Sequence, residues 1–131
     1  MRGQFKGYDV FAFSKGGVSV REFGSEAELD KWQPDDPDLF EVDLEFYAGP
    51  EGEDGSDAFR LSVCSPAWLL RANEQRAIFS PAHTLLMRRY DGAALLRFLH
   101  DRCSSASGET WTAIAMQIGR VGSWEFQYKV R

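Results

Sequence analysis

Apolar and polar residues alternate in two central segments of the chain. In residues 40–47 every second side chain is apolar, and the intervening positions carry Glu41, Asp43, Glu45 and Tyr47. In residues 58–64 the apolar positions are Phe59, Leu61 and Val63. A period of two with one polar side is typical of half-buried antiparallel strands. The glycine-rich residues 49–55 separate the two segments, so the pattern predicts a β-hairpin with an exposed loop.

A second hairpin is predicted near the start of the chain. Residues 8–13 and 18–23 are strand-like, and Gly16 and Gly17 lie between them. Two adjacent glycines can both adopt positive φ, which the tight turns of hairpins require. Residues 34–38 contain two prolines, which oppose regular structure, and predict a loop.

Helices are predicted from capping residues and from apolar residues at helical spacing. The predicted helices are residues 25–32 with Ser25 as N-cap and Leu29 and Trp32 facing inward, a short helix from Ser65-Pro66 with Trp68 and Leu69 behind, a helix from Asp91 to about Cys103, and one from about Glu109 to Gly119. The inward side chains of the last two are Leu95, Phe98, Leu99 and Cys103, and Trp111, Ile114, Ala115 and Ile118. A strand is predicted for residues 84–90. A short strand or an extended tail is predicted for residues 124–128.

The order of these elements, strands first and helices last, predicts an α+β fold. We expect a single domain over residues 1–131, because this length supports one hydrophobic core. Its mainly antiparallel sheet would carry the C-terminal helices on one face. The other face would present Glu41, Asp43 and Glu45.

Charge is distributed unevenly along the chain. Residues 32–59 carry ten acids and no Lys or Arg, so the rest of the chain is positive although the net charge is −5. An acidic segment repels phosphates, which argues against nucleic acid as its direct ligand. It favours a basic partner, or it serves only to keep the chain in solution.

Residues suited to catalysis or metal binding are few and scattered. Of the zinc-type ligands Cys64, His83, His100 and Cys103, only the last two are close in sequence, whereas zinc sites usually show short spacings on both sides. The acidic loop lacks EF-hand spacing, and no GxSxG, GxGxxG or GKS/T motif occurs. We expect no metal, no cofactor and no catalytic residues, with both cysteines as reduced core thiols.

Neither a membrane span nor an export signal is indicated. No segment reaches the apolar length of a bilayer-spanning helix, and residues 1–9 lack the apolar stretch of a signal peptide. We therefore expect a cytoplasmic protein that does not bind membranes.

Three stretches together resemble the Immunity protein 8 family of bacterial polymorphic toxin systems. They are residues 29–40 (LDKWQPDDPDLF), residues 49–69 with GPEGEDGSDAF and VCSPAWL, and residues 108–126 with GETW and IGRVGSWEF. Their order and spacing match, and the resemblance covers residues 29–126. The first two dozen residues fit it less well.

The resemblance implies a protein, not an enzyme, that binds and neutralises a cognate toxin C-terminal domain in contact-dependent competition between bacteria. The acidic segment is the predicted contact surface for a basic toxin. The candidate residues are Asp35, Asp36, Asp38, Glu41, Asp43, Glu45, Glu51, Glu53 and Asp54. Two other hypotheses remain open: a small enzyme or enzyme accessory subunit, which a metabolic operon would favour, and a structural domain, which the lack of a co-purifying toxin would favour.

Overall fold

The sheet and helices follow the predicted order along the chain. The computed structural model describes residues 1–15, 18–21 and 29–127. Its elements are β1 (Gly3–Lys15), β2 (Val18–Arg21), β3 (Glu41–Pro50), β4 (Asp57–Cys64), α1 (Pro66–Ala72), β5 (Thr84–Leu86), α2 (Gly92–Ser105), α3 (Trp111–Ile118) and β6 (Ser123–Trp124). The strand order is β2-β1-β3-β4-β5, and β6 also pairs with β4. The predicted α+β fold with a mainly antiparallel sheet is confirmed.

The central hairpin of β3 and β4 forms as its alternating pattern predicts. The pairing runs from Glu41 opposite Cys64 to Ala48 opposite Asp57. The even-numbered side chains of β3 from Val42 to Ala48 are buried, and the odd-numbered ones are half-buried. β3 extends to Pro50, beyond the predicted end, because Gly3 and its neighbour in β1 pair with the last residues of β3.

Strand β1 is longer than predicted and has two partners. Its last residues pair with β2, so the predicted N-terminal hairpin is confirmed, while its turn at Gly16 and Gly17 and the predicted strand end at residues 22–23 lie outside the described residues. Its earlier part pairs antiparallel with β3. Irregularities in this register interrupt the alternation of apolar residues in β1, so the pattern does not reveal the full length of the strand.

Two short strands close the far edge of β4. β6 pairs antiparallel with Phe59 and Arg60, and β5 pairs in parallel with residues 62–64. The predicted strand 84–90 is therefore wrong beyond Leu86. Its last part turns away from β4, and the N–H of Tyr90 donates to the carbonyl of Pro37 instead.

Helices α2 and α3 pack against the inner face of the sheet. The carboxylate of Asp91 accepts from the N–H of Ala94, and the hydroxyl of Thr110 accepts from the N–H of Ala113, so both helices begin at side-chain caps. The buried side chains that meet the sheet are Leu95, Leu99, Cys103, Ile114, Ala115 and Ile118. The predicted start, end and inward face of α2 are thus largely confirmed, with Phe98 only half-buried.

Ser65 joins the start of α1 to the start of β3. Its hydroxyl, which is fully buried, accepts hydrogen bonds from the N–H groups of Trp68 and Phe40. Pro66 follows at the first helical position, where its missing N–H costs nothing. The predicted helix at Ser65-Pro66 is confirmed.

The predicted helix over 25–32 is wrong in its described part. From Leu29 the chain forms a turn, and residues 25–28 lie outside the described residues. The N–H of Leu29 donates to the hydroxyl of Tyr8 at 3.0 Å, and the hydroxyl of Tyr90 donates to the carbonyl of Leu29 at 2.5 Å. These side-chain partners replace the backbone bonds of a helix, and Leu29 is still buried as predicted.

Candidate functional site

The nine candidate acids fall into three groups along β3. Glu41, Asp43 and Glu45 share the outer face of the strand, away from α2 and α3. Asp35, Asp36 and Asp38 precede the strand, and Glu51, Glu53 and Asp54 follow it. Since β3 has 10 residues, the two loops lie at opposite ends of a strand about 30 Å long. The structure thus brings three acids together and separates the other two groups.

Strand β1 adds a further carboxylate to the outer face. Asp9 lies directly opposite Glu45 in the β1–β3 register. The hydroxyl of Tyr47 donates to Asp9 at 2.6 Å and approaches Glu45 at 3.4 Å. The hydrogen bond to Asp9, burial and the charge of Glu45 raise the pKa of Tyr47. Sequence reasoning missed Asp9 because the pairing of β1 with β3 was not predicted.

Two acids of β3 also have contacts within the molecule. The indole N–H of Trp68 in α1 donates to Glu41 at 2.8 Å, and the hydroxyl of Ser62 donates to Asp43 at 3.4 Å. Burial, followed by the charge of Glu41, raises the pKa of the Cys64 thiol to about 11. Glu41 therefore anchors α1 to the sheet, whereas Asp43 makes a long and weak bond.

The loop before β3 is shaped by one of its own acids. The carboxylate of Asp36 accepts from the N–H of Asp38 at 2.9 Å, as in an Asx turn. The carboxylate of Asp38 lies 3.6 Å from the guanidinium of Arg89. Both side chains are largely exposed, so this ion pair contributes little to stability. Asp35 is exposed.

The loop between β3 and β4 is held by its backbone. Lys6 in β1 donates from its ammonium group to the carbonyls of Glu53 and Gly55. Gly52 and Gly55 have φ of 79° and 96°, values that favour glycine. The side chains of Glu51, Glu53 and Asp54 are exposed, so the loop presents three carboxylates on a fixed backbone.

A further acid of the acidic segment, Asp57, has a structural role. The carboxylate of Asp57 accepts from the indole N–H of Trp111 at 2.6 Å and from that of Trp124 at 3.0 Å. It therefore joins the start of β4 to α3 and to β6.

Arg60 places a cation on the outer face. It follows buried Phe59, is exposed, and lies opposite Glu45 in the β3–β4 register. Its guanidinium carbon is 4.5 Å from the centroid of the Phe11 ring in β1, a cation–π contact. The outer face thus combines acidic residues with Arg60.

The Immunity protein 8 family model matches residues 18–128 of this chain. The chain belongs to the Immunity protein 8 family. The match confirms the predicted family and begins earlier than the predicted residue 29, so it includes β2. Among curated proteins and solved structures, none matches the chain. Membership in the Immunity protein 8 family supports a role in immunity to a toxin.

Three of the four tryptophans of this Immunity protein 8 member attach other elements to the sheet. Trp68 is 8% exposed and Trp124 is 4% exposed, and both donate to acids of the sheet hairpin. Trp111 is half-buried and shares Asp57 with Trp124. The stretches that carry the family resemblance therefore include the residues that attach α1, α3 and β6 to the sheet.

The histidines and cysteines of this Immunity protein 8 member lie apart. Cys64 and Cys103 are buried and free, and burial raises the pKa of Cys103 to about 12. His100 packs on Phe5 with ring centroids 4.4 Å apart, and His83 bonds to the carbonyl of Gly119. Within the described ranges, no three His, Cys, Asp or Glu side chains are grouped to hold a metal ion.

None of the helices in the described part of the chain is both long enough and apolar enough to cross a membrane.

Proposed function

We propose that this protein neutralises one cognate toxin domain by binding it through the outer face of the sheet. Family membership implies the toxin partner. The observation that supports this surface is the grouping of Asp9, Asp43 and Glu45 on one sheet face, while α2 and α3 occupy the opposite face. The partner surface that this face fits is basic.

The pairing of Asp9 with Glu45 supports a binding role. Like charges directly opposite each other on neighbouring strands destabilise a sheet by a few tenths of a kcal/mol to about 1 kcal/mol. A residue pair that costs stability is typical of a site kept for binding. The same charges attract a basic protein during diffusion and raise the association rate.

The proposed mechanism is steric and electrostatic blockade without bond making or breaking. The outer face binds the basic surface of the toxin, and the acidic loops at either end of β3 extend the contact. The immunity protein then covers the catalytic surface with which the toxin binds an anionic or polar substrate. Its carboxylates also neutralise the positive charge of that surface. No catalytic residue of the immunity protein takes part.

Co-expression with the toxin domain encoded by the neighbouring gene tests the function. Cells that produce both proteins should survive, and the two proteins should co-purify from them. Death of cells that produce both proteins, with no complex recovered, would contradict the proposal.

Charge reversal tests the surface. Asp43→Lys combined with Glu45→Lys should slow association about tenfold at low salt and flatten its salt dependence, because steering depends on these charges. Stopped-flow kinetics with an inactivated toxin domain provides the measurement. Glu41 and Asp36 are left unchanged because of their contacts within the fold.

The matched control changes the charge equally on the helical side. Asp101→Lys combined with Glu109→Lys alters two exposed acids, one in α2 and one just before α3. This control should associate almost as fast as the wild-type protein. Equal rates for both double variants would mean that the acids of the outer face serve only to keep the chain in solution.

A further inference from the structure

The charge pattern of the outer face is mixed, and its cation is held in a defined position. β1 and β4 flank β3 on opposite sides, and neighbouring strands are about 4.8 Å apart. Arg60 belongs to β4, yet its guanidinium lies over Phe11 of β1. The side chain therefore crosses β3 on the face that carries Asp43 and Glu45.

The nitrogen atoms of Arg60 remain available for binding. In the part of the chain that the structure describes, the guanidinium has no ion pair or hydrogen bond, and its contact is the ring of Phe11. A guanidinium carries five N–H donors in a planar fork that fits a carboxylate. The cation–π contact with the Phe11 ring uses none of those N–H donors in a hydrogen bond, so they can bind a carboxylate of a partner.

We infer that Arg60 is a specificity-determining residue of the outer face, which binds a carboxylate of the toxin domain set within its basic surface. The inference rests on the proposed function and deepens it. The complementary toxin surface has basic side chains opposite Asp9, Asp43 and Glu45, and one Asp or Glu opposite Arg60.

This arrangement discriminates between toxins. A basic protein without the carboxylate would cover Arg60 and leave its charge desolvated and unpaired, which is unfavourable. The acids of the outer face would attract many basic proteins. Arg60 would slow the dissociation of the toxin domain that places a carboxylate against it. Attraction affects mainly the association rate, and pairing in the complex affects mainly the dissociation rate.

Binding kinetics of Arg60 variants with the inactivated toxin domain tests the inference. Arg60→Ala should raise the dissociation rate about tenfold or more and leave the association rate unchanged or slightly higher, because it removes a positive charge from an acidic face. Arg60→Lys keeps the charge without the planar fork and should recover the affinity only in part. Arg97→Ala in α2, an exposed arginine on the helical side, is the matched control and should bind like the wild-type protein.

The direction in which the toxin affinity of Arg60→Ala changes shows whether Arg60 binds a toxin carboxylate or only offsets the repulsion between the acids. If Arg60 only offsets the repulsion between the acids, Arg60→Ala would bind a basic toxin more tightly, and that result, or unchanged dissociation, would overturn the inference. Thermal unfolding of each variant establishes that it is folded. If the wild-type protein binds no toxin domain, the proposed function fails together with the inference. If the wild-type protein binds and Arg60→Ala dissociates no faster, only the inference fails.

Discussion

Gly92 lies where the backbone of Leu29 crosses the start of α2. A Cβ atom added to Gly92 would stand 1.7 Å from the carbonyl oxygen of Leu29, which is far inside van der Waals contact. The same carbonyl accepts the hydrogen bond from Tyr90, so it cannot move away without losing that bond. One glycine therefore determines how closely the segment before β3 approaches the helix.

Gly92→Ala should lower the free energy of unfolding by about 3 kcal/mol, because the new methyl group must displace backbone. Urea denaturation followed by tryptophan fluorescence measures the change. Ala93→Ser alters an exposed neighbour and should stay within about 0.5 kcal/mol of the wild-type protein. Equal stability of the two variants would show that the segment shifts freely.

At the scale of elements, the sequence pattern predicted those strands and helices that depend on residues close together in the chain. The alternation in β3 and β4 gave the central hairpin, and Asp91 with its apolar spacing gave α2. The pairing of β1 with β3, the parallel strand β5 and the role of Asp57 depend on residues far apart in sequence, which periodicity does not report. The candidate acids were predicted by charge, but Asp9 and Arg60 join them only through strand register.

Asp57 provides a prediction for the contact between elements. Asp57→Ala should lower the free energy of unfolding by about 2 kcal/mol, because two indole N–H groups lose a charged acceptor. Chemical denaturation provides the value. Asp54→Ala removes the same charge from the exposed loop and should change stability by less than about 0.5 kcal/mol. A loss of similar size in both variants would assign the effect to charge alone.

At the scale of the whole molecule, four acids share one sheet face, whereas the two cysteine thiols are enclosed in the core. Cys103 is fully buried, and burial raises its pKa from the ordinary value of 9 to about 12. The unfolded chain releases this proton near pH 9, whereas the folded chain keeps it. The stability that the neutral thiol contributes is therefore complete below pH 9 and is lost as the pH rises towards 12.

Stability at alkaline pH tests this linkage. Between pH 8 and pH 10.5 the free energy of unfolding should fall, and in Cys103→Ala it should fall by about 2 kcal/mol less than in the wild-type protein. Urea unfolding at the two pH values gives both differences. The same decline in both proteins would indicate that the Cys103 thiol ionises equally in the folded and unfolded states.

The edge of β4 that faces away from β3 pairs with both β5 and β6, and this affects self-association. A long open strand is a template on which another chain can add, and repeated addition leads to fibres. Here the edge of β4 is occupied by a three-residue strand and a two-residue strand that come from distant parts of the sequence. A second molecule that extends the sheet on that side meets only short backbone stretches, one parallel and one antiparallel to β4, so this edge is a poor template for strand addition.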